Sequence, residues 1–82
     1  MLEKIDEINM LKDFYGKLLT DRQQELLSLY YEENLSMTEI AESLAITKQG
    51  VSDGLKKAEA ALRKYEGKLG LLDQWKQQNS AN

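Results

Sequence analysis

The chain has 82 residues, of which 41% are hydrophobic and 30% are charged, and its net charge at pH 7 is -3. It contains neither cysteine nor histidine, which excludes disulfides, zinc fingers, thiol nucleophiles, Ser-His-Asp triads and imidazole acid–base catalysis. No apolar run approaches the roughly 20 residues of a membrane span, and the charged N-terminus does not resemble a signal peptide. We therefore expect one cytoplasmic domain over residues 1–82 that is not an enzyme and that holds no metal or cofactor.

Apolar residues recur at helical spacing along almost the whole chain, and this pattern predicts an all-α fold. The first helix is expected over residues 2–19. Its apolar stripe consists of Ile5, Ile8, Leu11, Tyr15 and Leu18.

A capping box, in which Thr20 faces Gln23, predicts the start of a second helix over residues 21–33. Asn34 is expected to end this helix in the left-handed conformation. The side chains expected to be buried on it are Leu26, Leu27, Tyr30 and Tyr31.

The segment of residues 36–57 has the pattern of a helix-turn-helix motif, in which two short helices are held close to a right angle. Ser36 with Glu39 predicts a capped third helix, Met37–Leu44, and Thr47 predicts the start of a fourth helix at Lys48. Close approach of the two helices needs a small side chain, an apolar plug in the turn and apolar anchors beyond it. These roles fit Ala41, Ile46, Val51 and Leu55.

The fourth helix continues into a C-terminal extension over about residues 58–78, with an apolar seam at heptad spacing. The seam consists of Val51, Leu55, Ala58, Leu62, Tyr65, Leu69 and Leu72. Gly67 and Gly70 are expected to break the helix near Glu66 and to leave a short fifth helix, followed by a frayed, polar segment over 76–82. We expect a homodimer whose interface is Leu62, Tyr65, Leu69, Leu72 and Trp75; the alternative is that the first helix covers part of the seam.

Five short stretches of the sequence resemble the YlxM family of small bacterial helix-turn-helix proteins, and the layout is similar to region 4 of bacterial sigma factors. They are FYGKLLT (14–20), LYY (29–31), LSMTEIAE (35–42), TKQGVSDGLKKAE (47–59) and YEGKL (65–69). The resemblance implies a sigma region 4-like helical domain with DNA-binding ability. It also implies a link to the signal recognition particle, whose RNA and protein components become candidate partners. The chain departs from the family pattern at Lys48, where relatives carry arginine, and at Ser52 and Gly54, which replace an aromatic residue and an amide.

Charge is distributed unevenly, which points to a basic edge on an otherwise acidic molecule. Residues 1–46 hold four bases and ten acids, net -6, whereas residues 47–82 hold seven bases and four acids, net +3. The candidate nucleic-acid-binding residues are Lys48, Gln49, Ser52, Lys56, Lys57, Arg63 and Lys64. The alternative for several of these side chains is a helix-surface ion pair, Asp53 with Lys57 and Glu59 with Arg63, at i,i+4 spacing.

These observations leave three functions open. The leading one is a non-enzymatic helix-turn-helix regulatory protein that binds nucleic acid and takes part in signal recognition particle protein targeting. The second is a dimeric transcription regulator that binds DNA. The third is a protein-interaction adaptor whose helix-turn-helix has lost contact with nucleic acid.

Overall fold

The computed structural model describes residues 3–79, and the predicted all-α fold is confirmed. A 3-10 turn, Gly16–Leu18, follows the first helix, and a π-helical segment, Ser28–Glu32, extends the second. The α-helices of the described part are α1 (Lys4–Tyr15), α2 (Asp21–Leu27), α3 (Met37–Leu44), α4 (Lys48–Leu69) and α5 (Leu71–Asn79). None of the helices in residues 3–79 is both long and apolar enough to cross a membrane.

The helix starts lie where the capping residues predicted them. Thr20 accepts a hydrogen bond from the Gln23 backbone N–H at 3.1 Å, and the Gln23 side chain accepts one from the Thr20 backbone N–H at 3.1 Å. Ser36 and Glu39 form the same reciprocal pair. Thr47 accepts from the Gly50 N–H at 2.9 Å and so starts α4. Each cap satisfies backbone donors that the first turn of a helix leaves unpaired.

The long helix α4 is the spine of the molecule, because α1, α2 and α3 all pack against it. Its inward stripe is fully apolar and consists of Val51, Leu55, Ala58 and Leu62. The facing residues come from every other α-helix; they are Ile8, Leu11, Tyr15, Leu26, Leu27, Ile40, Ala41 and Leu72. Ile46, predicted to plug the turn, is half-buried and packs against this core. Burial of this apolar surface is the main term that stabilises the fold.

Gly54 allows α2 to approach α4 closely. A Cβ atom added at this position would overlap with Cδ1 of Leu26, which is itself buried. The helix-weakening glycine in the middle of α4 is therefore a packing requirement.

Several predicted boundaries were wrong. The first α-helix ends at Tyr15, and the predicted stripe was too wide, since Ile5 and Leu18 are each 55% exposed. The second helix has nearly its predicted extent, from Asp21 to Glu32, but it changes to π-helical hydrogen bonding at Ser28. At the C-terminal end, residues 76–79 continue α5 as a helix where a frayed segment was expected; residues 1–2 and 80–82 of the predicted elements lie outside the described residues.

The break between α4 and α5 occurs at Gly70, which adopts the left-handed conformation at φ 66°, whereas Gly67 remains helical. After this turn α5 folds back and packs on α1, so Leu72 is buried at 3% exposure and Leu62 at 0%. Leu62 and Leu72 are therefore core residues of one chain, and their prediction as dimer-interface residues needs correction. The alternative that the first helix covers part of the seam accounts for this. Tyr65 is half-buried beside Tyr15, with ring centroids 6.2 Å apart.

A hydrogen-bonded cluster around Glu66 holds α5 in place. The Tyr15 hydroxyl donates to Glu66 Oε1 at 2.6 Å and accepts from the Leu71 backbone N–H at 3.0 Å. The Glu66 carboxylate also accepts from the backbone N–H groups of Leu72 and Asp73, at 3.0 Å each. One side chain of α1 and one of α4 thus cap the first turn of α5.

These contacts perturb the ionisation of both groups. Burial, and then the hydrogen bond to Glu66, raise the pKa of Tyr15. Burial alone would raise the pKa of the Glu66 carboxyl as well. The hydrogen bonds from Tyr15, Leu72 and Asp73 together outweigh burial and hold the pKa of Glu66 below its ordinary value.

The close approach at Gly54 predicts opposite effects for two glycine-to-alanine substitutions in α4. Gly67→Ala should stabilise the protein by about 0.5–1 kcal/mol, because no atom outside the local helix backbone lies within 4 Å of the added Cβ and alanine favours the helix. Gly54→Ala should destabilise it by about 1 kcal/mol, since overpacking costs more than the gain in helix propensity. Urea unfolding followed by circular dichroism measures both. Equal stabilisation by the two substitutions would contradict the packing role of Gly54.

The Glu66 cluster predicts an acid-labile contribution to stability. A carboxyl whose pKa is lowered on folding stabilises the folded state fully above its unfolded value, 4.5, and this contribution is lost as the pH falls through the folded value. Glu66→Gln should cost about 1–3 kcal/mol at neutral pH and should flatten the loss of stability below that value. The measurement is urea unfolding across acidic pH, with Glu33→Gln, at an exposed carboxylate, as the control. An unchanged acid limb in Glu66→Gln would contradict this role.

Candidate nucleic-acid interface

The helix-turn-helix of this chain is formed by α3, a tight turn and the first turns of α4. Ala45 ends α3 in the left-handed conformation at φ 56°, and the Ile46 N–H donates to the Ala41 carbonyl at 3.0 Å. Behind the turn, Ile40 and Val51 are fully buried, at 0% exposure each. The motif is thus anchored from inside, and the outward side of α4 is left to solvent.

The outward side of α4 carries two rows of side chains, because residues seven apart in an α-helix point in nearly the same direction. The inner row contains Gln49, Lys56 and Arg63, and half-buried Ser52 lies beside it. The outer row contains Lys57, Lys64 and Lys68, all exposed, spread over about 16 Å of helix axis at 1.5 Å per residue. The first residue of α4, Lys48, is exposed at the N-terminal end of both rows.

The acidic side chains of α4 are mostly turned away from these rows. Glu59 has 19% of its side chain exposed, accepts from the Tyr31 hydroxyl at 2.7 Å and pairs with Lys4 at 3.6 Å. Glu66 is used to cap α5. Asp53 alone among the acids of α4 is exposed, and it accepts a hydrogen bond from Gln49 Nε2 at 2.9 Å. The outward side of α4 after Asp53 therefore holds bases and no opposing carboxylate.

The ion pairs of the molecule show the same asymmetry. Across residues 3–79, five bases pair with carboxylates, namely Lys4, Lys12, Arg22, Arg63 and Lys76. Six bases of this range form no such pair, and five of them lie on α4: Lys48, Lys56, Lys57, Lys64 and Lys68. The positive charge of α4 is therefore available to an external anion.

Arg63 differs from the lysines of α4 because its guanidinium group forms an ion pair with a carboxylate of α1. Its Nη1 atom lies 2.8 Å from Glu7 Oε1, and Glu7 also pairs with Lys76 of α5 at 3.9 Å. The i,i+4 pairs proposed as the alternative are replaced by other contacts: Glu59 bonds to Tyr31 and Lys4, while Asp53 bonds to Gln49. Arg63 thus links α4 to α1 through its ion pair with Glu7.

Lys68 belongs to the outer row but was not among the residues predicted from the sequence. Its signal was its spacing of eleven residues from Lys57 and four residues from Lys64, which places all three on one side of a helix. The signal was missed because α4 was expected to break near Glu66. Among residues 3–79 there is also no cluster of three acidic side chains that could hold a metal ion.

Comparison with known proteins agrees with this architecture. The sequence matches the UPF0122 family, YlxM/p13-like helix-turn-helix proteins, over residues 2–81. A UPF0122 protein of Desulforamulus reducens is 48% identical over 80 residues, which are 98% of this chain and 68% of that protein. UPF0122 proteins of Bacillus thuringiensis and Listeria welshimeri are 47% and 43% identical over 77 residues, 94% of this chain and 70% of each relative. The chain therefore belongs to the UPF0122 family of YlxM/p13-like helix-turn-helix proteins.

Proposed function

We propose that this protein is a non-enzymatic, regulatory helix-turn-helix protein that binds the phosphate backbone of double-stranded nucleic acid through the outward side of α4. The observation that carries the proposal is the set of lysines without ion pairs, five of which lie on this one helix. The net charge of the whole chain is -3, so the attraction is local to α4. The acidic scaffold opposes any other orientation of the polyanion.

The side chains on this surface favour contact with phosphates over reading of bases. Bidentate recognition of guanine is mainly the work of arginine, and Arg63, the arginine of α4, is held by Glu7. The ammonium groups of Lys56, Lys57, Lys64 and Lys68 are point charges, which suit phosphate oxygens. Gln49, at the position where a recognition helix meets base edges, is already hydrogen-bonded to Asp53. We therefore expect modest affinity and little sequence preference.

The family resemblance suggests one specific source of such a polyanion, the RNA of the signal recognition particle. This part of the proposal rests on the resemblance alone. Because the lysine rows track a backbone, they suit a helical RNA as well as duplex DNA. Parallel titrations with the particle RNA, an unrelated RNA helix and a DNA duplex of equal length test this part. Tighter binding to the particle RNA than to the other two ligands would support a role in protein targeting, and tighter binding to the DNA duplex would support DNA regulation.

Charge reversal in the outer row tests the phosphate-binding surface. The parent protein should bind duplex with a log–log salt slope of about -3, as expected for three or four phosphate contacts. Lys57→Glu should weaken binding and reduce this slope by about 1, and the triple reversal of Lys57, Lys64 and Lys68 should abolish binding. Fluorescence anisotropy at several salt concentrations provides the measurement.

Lys17→Glu is the matched control, because it makes the same charge change as Lys57→Glu and, like Lys57, Lys17 forms no ion pair among residues 3–79. Lys17 is exposed on the 3-10 turn after α1, beside a cleft that is lined by α1, α2 and the π-helical segment and by no residue of α4. Equal loss of binding in Lys17→Glu and Lys57→Glu would mean that net charge alone matters. A parent slope near zero would overturn the proposal and favour the protein-interaction adaptor.

Asp53 provides a test in the opposite direction. Its exposed carboxylate lies between Lys48 and the lysine rows, where it repels phosphates. Asp53→Ala should strengthen binding to an arbitrary duplex several-fold in the same anisotropy assay, because it removes this repulsion and frees Gln49. Asp13→Ala makes the same charge change on α1 and should have a much smaller effect. Weaker binding by Asp53→Ala would mean that Asp53 itself contacts the ligand.

A further inference from the structure

One carboxylate of this protein is shared between two bases that lie on two other helices. Glu7 Oε1 accepts a hydrogen bond from Arg63 Nη1 of α4 at 2.8 Å, and Glu7 Oε2 lies 3.9 Å from Lys76 Nζ of α5. No other carboxylate among residues 3–79 pairs with two bases. Because the two bases approach different oxygens, Glu7 keeps an ion pair when one of them leaves.

Arg63 lies where the contact with α1 meets the lysine rows of α4. It follows Lys56 by seven residues in the inner row and is next to Lys64 of the outer row. Its side chain is 50% exposed, whereas that of Glu7 is 26% exposed. A surface ion pair with this much solvent contact is weak, and a guanidinium group binds phosphate through two parallel hydrogen bonds. A phosphate that reaches the rows can therefore compete with Glu7 for Arg63.

We propose that binding of double-stranded nucleic acid exchanges the ion pairs of Glu7: Arg63 turns away to a phosphate, and Glu7 stays paired with Lys76. The inference rests on the proposed function, because the phosphate belongs to the duplex that the lysine rows bind. Lys76 makes the exchange possible, since it prevents a partly buried carboxylate from losing its last base. Glu7 is thus a positioning residue that restrains Arg63 and lowers the affinity of the surface.

The exchange also connects α5 with the nucleic-acid interface. This helix packs on α1, and Lys76 is its single base. In the free protein Glu7 is divided between Arg63 and Lys76, whereas in the complex Lys76 is its one base. Binding of the ligand and attachment of Lys76 to α1 therefore favour each other, since coupling between two sites is reciprocal.

Fluorescence anisotropy titrations with an arbitrary DNA duplex at several salt concentrations test the exchange. Arg63→Gln should weaken binding several-fold and reduce the log–log salt slope by about 1, because one phosphate contact is lost. Glu7→Gln should strengthen binding by about two- to fivefold, because Arg63 no longer has to leave an ion pair. Asp6→Asn, at an exposed carboxylate of α1, makes the same charge change and should have a smaller effect. Thermal unfolding of each variant checks that it remains folded.

Double variants separate the exchange from the general effect of charge. In the Arg63→Gln background, Glu7→Gln should strengthen binding no more than Asp6→Asn does. Lys76→Gln should weaken binding in the parent, because Glu7 then holds Arg63 more firmly. It should weaken binding less in the Glu7→Gln background, where this restraint is absent.

A parent that binds the duplex while Arg63→Gln retains the parent's salt slope overturns the exchange and leaves the proposed function intact. So does a gain from Glu7→Gln that persists unchanged in the Arg63→Gln background, or an equal loss from Lys76→Gln in both backgrounds. A parent slope near zero overturns the proposed function and the exchange together.

Discussion

The contact on which the rest of the structure depends is the apolar stripe of α4. Val51, Leu55, Ala58 and Leu62 are buried against the other α-helices over about three turns. A domain of this size buries a smaller share of its surface than a large one, so it has few alternative ways to form a core. Once α4 faces inward along this stripe, its opposite side must face solvent, and the position of the two lysine rows follows from the helical period.

The same constraint explains how charge is divided between structure and function. Carboxylates of α4 that lie beside the stripe are used to join helices: Glu59 bonds to Tyr31, and Glu66 caps α5. Acids of the scaffold pair with the bases nearest to them, as Glu7 does with Arg63. Within residues 3–79, the five lysines of α4 form no ion pair with a carboxylate. A chain with net charge -3 can therefore present a positive surface, because ten of its fourteen acids lie in residues 1–46 and two of the three acids of α4 are bonded to other helices.

The turn at Gly70 has a comparable double effect. Because α5 folds back onto α1, the seam that runs along α4 is covered within one chain by Leu72 and Tyr15. The same fold-back lays α5 along α1, with the Leu71 N–H 3.0 Å from the Tyr15 hydroxyl and Lys76 3.9 Å from Glu7. One backbone conformation thus places two predicted interface residues, Leu62 and Leu72, in the core and fixes α5 on α1.

The sequence by itself determined the fold class, the N-terminal boundaries of α2, α3 and α4 and the apolar residues of the motif. These features depend on side chains a few residues apart, such as Thr20 with Gln23 or the seven-residue spacing of the seam, so local patterns are sufficient. Only the tertiary structure decided that Glu66 caps α5, that Leu26 packs at Gly54, that Arg63 pairs with Glu7 and that Leu72 is buried. Each of these facts joins residues of different helices, and their distance depends on how all the helices pack together, which a period or a cap in one segment does not specify.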